Sequence, residues 1–156
     1  PPFVDLHSAT WTETNGYELA DGARRFQNWE SFVAGRVGLM EAVRYARAVG
    51  MSYIEDRVTK LAQVLRDELS TMKGVSVHDL GQQKSGIVTF TRDSIESKAT
   101  AEGLRDQGIN VSVAPVTGAR LDFEARNLPA MVRASVHYFN THEEIARFAD
   151  AVKGIH

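Results

Sequence analysis

Residues 132–145, VRASVHYFNTHEEI, place a strand, a turn and a helix start within one short stretch, and the rest of the chain is read outward from it. Val132, Ala134, Val136 and Tyr138 alternate with Arg133, Ser135, His137 and Phe139, the period of two that marks a strand with one apolar face and one mixed face. Asn140 breaks that pattern. Thr141 followed three residues later by Glu144 predicts a capping box: the hydroxyl accepts from the first turn of a helix, and the carboxylate accepts from the cap's own N–H. Beyond it Ile145, Phe148, Ala149 and Val152 recur at helical spacing and predict one apolar stripe.

Arg133 stands on the mixed face of this strand, where stability does not require it. A guanidinium held by a strand is a rigid fork suited to two-point binding of a carboxylate. The residues alone leave two readings open, a solvated or salt-bridged strand arginine and a carboxylate site. RASVHYFNTHEEI resembles the C-terminal signature of the class V aminotransferases, a fold-type I family dependent on pyridoxal phosphate (PLP) that includes cysteine desulfurases and selenocysteine lyases. The matching pattern is R-x-S-x-x-x-Y/F-N-T-x-x-E. In that family its arginine binds the substrate α-carboxylate, so the resemblance assigns that role to Arg133.

Composition is that of an ordinary globular chain. With 156 residues, 43% hydrophobic and 24% charged, it is long enough to bury one sizeable core. A formal charge of −2 gives no electrostatic reason to expect nucleic acid or an anionic membrane as partner. No apolar run approaches the roughly twenty residues that span a bilayer, and the amino end lacks a basic-then-apolar secretion pattern, so a cytoplasmic location is expected. The absence of cysteine removes disulfides, thiolate metal sites and a cysteine nucleophile from this chain. Opening on Pro1 and not methionine, the sequence reads as a trimmed piece of something longer.

Residues 1–31 carry both tryptophans and no sustained periodicity, and are expected to form an irregular arm anchored by Trp11, Tyr17, Phe26 and Trp29. Within it ARRFQNWES, residues 23–31, resembles the R-F-E-x-G-T segment of cysteine desulfurase-like enzymes, which approaches the cofactor of the other subunit. Arg25 and Phe26 match. Where those relatives place the Gly-Thr that touches the cofactor phosphate, this chain has Trp29 and Glu30 with Ser31 adjacent, and a carboxylate there would repel a phosphate. The resemblance thus makes Arg25 and Ser31 the candidate cofactor-binding residues.

Residues 32–156 read as one small domain. Val33, Val37, Met40 and Val43 predict a helix ending at Gly50. Ser52 with Glu55 predicts a second capping box, opening a long helix with Ile54, Val58, Leu61, Leu65, Leu69 and Met72 as its stripe. Asp56, Arg57, Lys60, Arg66 and Asp67 are expected on its wet face. Strands are expected at 75–80, 87–92 and 109–114, a helix from Asp93 or Ser94 to Gly108, and a polar loop at 115–130. This order predicts an α+β fold with helices covering one face of a small, mostly antiparallel sheet. It agrees with the C-terminal domain of fold-type I PLP enzymes that the resemblance implies.

The resemblance also defines what this chain lacks. Lys60, Lys73, Lys84, Lys98 and Lys153 all stand outside the Ser/Gly-x-His-Lys type context of the family's Schiff-base lysine, and the cofactor's chemistry requires that lysine together with a partner for the ring nitrogen. The chain is therefore expected to be catalytically incomplete alone and to work with an N-terminal PLP-binding domain in a homodimer acting on a small amino acid. In the selenocysteine lyase-like branch an arginine and a catalytic cysteine follow the third strand. Here Ser112 stands near the arginine position and Thr117 or Gly118 near the cysteine, so persulfide formation on this loop is excluded. Arg120 is the candidate second carboxylate contact. His7, His78 and His137 share no metal-ligand spacing, and Ser135 lacks a nucleophile elbow. A competing reading from another class is a free-standing α+β module whose Arg133 binds a small carboxylate without chemistry.

Overall fold

The computed structural model describes residues 7–26 and 31–155 and divides into two compact units, Pro1–Ala48 and Val49–His156. In the first, β1 (Ala9–Glu13) and β2 (Gly16–Leu19) pair antiparallel, Trp11 opposite Tyr17, with a bulge between Trp11 and Glu13. A 3-10 turn follows at Gly22–Phe26. The expectation of an irregular arm is corrected here, since a hairpin occupies 9–19. Its strands escape the alternation test because Trp11, Tyr17 and Leu19 all remain exposed, so no apolar face marks them. The anchoring expected of Trp29 lies outside the described residues. Helix α1 (Val33–Val49) forms where the spacing predicts it, yet none of its residues is buried.

Gly50, at φ 102°, interrupts the helical path in a backbone conformation that favours glycine, and α2 (Met51–Ser70) begins at the next residue. The expected Ser52/Glu55 capping box is absent: Gly50 occupies the cap position and no side chain bonds there. A helix that starts at Met51 already contains Ser52, which leaves its hydroxyl no cap to make. Strands β3 (Val75–Val77) and β4 (Ile87–Arg92) follow, then α3 (Ser97–Asp106), which starts later than expected because Ser94 adopts φ 62° in the preceding turn. Gly108 closes α3: its N–H donates to the Arg105 carbonyl and that of Ile109 to the Leu104 carbonyl, the bond pair of a Schellman motif. After β5 (Ser112–Ala114) the predicted loop contains a 3-10 turn at Val116–Gly118 and a short helix α4 (Arg120–Ala125). The chain ends in β6 (Met131–Ser135) and α5 (His142–Gly154).

The sheet order is β3-β4-β6-β5, with every pair antiparallel. Val88, Phe90, Val132 and Ala134 point to the face covered by α2, α3 and α5, where Leu61, Leu65, Leu69, Leu104, Ile145, Phe148 and Val152 complete the core. The Phe90 and Phe148 rings meet edge to face at 6.1 Å. Ladder pairing of β6 ends at Ser135, but the in-out alternation continues, with Val136 buried and His137 and Phe139 exposed. The Val136 N–H donates to the Gly86 carbonyl. A Cβ on Gly86 would lie 2.5 Å from the Val136 oxygen, so only glycine permits this approach. The Thr141/Glu144 capping box forms as predicted, and α5 buries Ile145, Phe148, Ala149 and Val152.

Candidate functional site

Strand β6 lies between β4 and β5, so Arg133 stands in the middle of the sheet with Thr89 opposite on one side and Ser112 on the other. Val132 and Ala134 occupy the helix-covered face, which turns Arg133 and Ser135 to the other and leaves both exposed. Among the described residues the guanidinium has one hydrogen bond, Nε to Ser135 Oγ at a long 3.4 Å, and no carboxylate forms an ion pair with it.

Other arginines of this unit serve the backbone. Arg57 donates Nε to the Tyr138 carbonyl at 2.7 Å and Nη2 to that of Asn140 at 2.7 Å, holding the turn after β6. Arg66 donates Nε to Asp79 Oδ2 at 2.8 Å and Nη2 to the Ser85 and Ile87 carbonyls. Arg126 donates to the His78 carbonyl, and Arg147 to that of Gln107. The wet-face expectation is thus corrected for Arg57 and Arg66, the latter only 3% exposed. Arg66 lies four residues after Ala62 and three before Leu69, both buried, so it sits on the flank of the stripe and not opposite it. That spacing was the available signal.

The other sequence-derived candidates are more scattered. Arg120 opens α4, exposed, with Nε 3.2 Å from Glu124 Oε1. Arg25 lies on the 3-10 turn of the first unit with its guanidinium 5.2 Å from the Phe26 ring centre, and Ser31 is exposed in the same unit. His137, on the Arg133 face, stacks on Phe139 at 4.4 Å, and its backbone N–H donates to Asn140 Oδ1. Burial, followed by the neighbouring Arg126 charge, lowers the His78 pKa against an opposing pull from Asp79. A depression of about 400 Å³ opens beside the end of β6, lined by buried Leu65, Ile145 and Phe148 and by polar Ser135, Asn140 and Glu144. Arg133 does not line it.

No group of three or more His, Asp or Glu side chains among the described residues could hold a metal ion, and no described helix is long and apolar enough to cross a membrane. None of the five lysines is buried, and Lys60 and Lys153 pair with Asp56 and Asp150 on their own helices. These lysines do not fit the enclosed Schiff-base attachment that PLP requires. What the arrangement supplies is an exposed guanidinium on a central strand of the sheet, with no acidic partner among the described residues.

The aminotransferase class-V family model matches residues 7–148. A probable cysteine desulfurase of Xylella fastidiosa is 31% identical over 128 residues, which cover 82% of this chain and 30% of that protein. The apo structure of a cysteine desulfurase from Thermococcus onnurineus superposes with a TM-score of 0.76 at 25% identity, covering 99% of this chain and 40% of the other. A C-DES mutant with glycine covalently linked to its PLP cofactor shares the fold at 21% identity, with a TM-score of 0.70 and coverage of 100% of this chain and 38% of that one. The chain spans about a third of the length of the curated relatives it matches. With the model match running through both the hairpin and the Arg133 strand, the chain belongs to the class-V aminotransferase family.

Proposed function

We propose that this chain is the C-terminal domain of a PLP-dependent class-V enzyme acting on a small amino acid, and that Arg133 binds the substrate α-carboxylate. The observation that carries this reading is the state of Arg133: held by a central strand, exposed, and without an acidic partner among the described residues. An arginine serving only the fold would be expected to spend its donors on backbone carbonyls, as Arg57 and Arg66 do. Arg120 is the second carboxylate contact in this proposal, and Arg25 and Ser31 are the cofactor-binding residues, contributed to the cofactor of the other subunit. The Schiff-base lysine then belongs to the N-terminal PLP-binding portion of a homodimeric, cytoplasmic enzyme. PLP supplies the electron sink when bound. The role of this chain is to fix the carboxylate end of the substrate.

The test is Arg133→Lys in the full-length protein. A lysine keeps the charge but not the two-point fork, and a charge-assisted bidentate pair contributes about 1.5–3 kcal/mol, so amino-acid affinity should fall roughly ten- to hundredfold. Affinity and turnover both unchanged would refute the carboxylate role. Borohydride reduction of the PLP-loaded protein, followed by peptide mapping, should place the modified lysine outside these 156 residues.

A further inference from the structure

We infer that Asp79, Arg66 and Thr89 form a positioning set for Arg133, in which Arg66 neutralises a buried carboxylate that would otherwise compete for the Arg133 guanidinium. This inference rests on the carboxylate role proposed for Arg133. The geometry begins where β3 stops. The His78 N–H still donates to the Thr89 carbonyl at 2.9 Å, but the next rung is made by a side chain: Asp79 Oδ1 accepts from the Thr89 N–H at 2.9 Å and from Thr89 Oγ1 at 2.6 Å. Both backbone groups of Thr89 therefore face β3, which makes Thr89 and Arg133 a non-hydrogen-bonded antiparallel pair. In such pairs the Cα atoms approach to about 4.5 Å and the side chains are close neighbours.

Asp79 thus anchors the residue directly beside Arg133, and it brings a negative charge with it. Arg66 Nε meets its other oxygen at 2.8 Å, with side-chain exposures of 4% and 10% for the two partners. Arg66 also donates to the Ser85 and Ile87 carbonyls at 2.7 and 2.9 Å, which fixes the start of β4. Both oxygens of the Asp79 carboxylate are consequently engaged, Oδ1 by two donors and Oδ2 by one, and its charge is balanced from the side of α2. Removing Arg66 would leave an uncompensated buried carboxylate one strand from Arg133, and an arginine is its natural counter-ion. The set touches neither substrate nor cofactor. It acts by keeping the Arg133 fork free and aimed.

The experiment measures, by calorimetry on the full-length protein, the ratio of affinities for L-alanine and L-alaninamide, which differ in the carboxylate. Arg66→Met should lower that ratio by about tenfold, and adding Asp79→Asn to it should restore the ratio to within about threefold of the parent, because the competing charge is gone. A purely structural role predicts instead that stability falls in the single variant and recovers in the double one while the affinities for L-alanine and L-alaninamide change together, leaving their ratio unaltered. An unchanged ratio in folded Arg66→Met, or no rescue in the double variant, overturns the inference. Should Arg66→Met fail to fold, Thr89→Val removes only the hydroxyl bond and should lower the ratio about two- to threefold, and no change there is equally fatal. An Arg133→Met control separates the two proposals: if it leaves the ratio unaltered, the carboxylate role itself is wrong.

Discussion

Helices α1 and α2 carry the same kind of apolar repeat, are separated in sequence by Gly50 alone, and end in opposite environments. Val33, Val37, Met40 and Val43 of α1 stay between 42% and 65% exposed, and that helix buries nothing. Leu61, Leu65 and Leu69 of α2 are at most 1% exposed. The contrast shows that period makes a helix whereas burial needs a partner. For α2 that partner is the apolar face of the sheet at β3 and β4 together with α5. At about 25 cal/mol per Å² of apolar area, the difference in covered surface decides which stripe stabilises the chain.

The comparison can be broken at either end. Leu65→Ala, in the core of the second unit, should cost about 3–5 kcal/mol in denaturant unfolding of this 156-residue chain, and a loss under about 1 kcal/mol would mean that the core is not cooperative there. Thr141→Ala removes the hydroxyl that accepts from the Glu144 N–H and should cost about 1 kcal/mol, a local effect on α5 smaller than any core truncation. Smallest is Val37→Ala in α1, expected within about 0.5 kcal/mol in this chain. If Val37→Ala approached Leu65→Ala in size, the contrast between the two stripes would fail. The ranking is independent of catalysis and is read by the same unfolding curves.

Much of the second unit was legible because local chemistry and tertiary demand agree there. The Thr141/Glu144 box, the α5 stripe and the alternation of β6 each encode one state, and each forms. The hairpin of β1 and β2 was missed because, with Trp11, Tyr17 and Leu19 all exposed, it has no buried face to impose alternation. Helix α4 was missed for a related reason: in a segment of six residues only Phe123 is buried, too few to set a period. Ser52 and Glu55 satisfied a capping pattern that the chain does not use, since Gly50 ends one helix and caps the next within a single residue.

For the candidate site, the sequence by itself determined that a strand would hold Arg133 on its less apolar face, because the period of two leaves no other choice. It also determined the strand-turn-helix unit that follows and the family those residues resemble. Only the tertiary structure decided which arginines are free. Arg57 and Arg66 read in sequence as solvated charges, yet the fold brings them against the carbonyls of 138, 140, 85 and 87. Hydrogen bonds between residues 19 to 83 positions apart leave no local periodic trace. They arise from the way a helix is laid across strand ends, and that geometry exists only once the chain has folded.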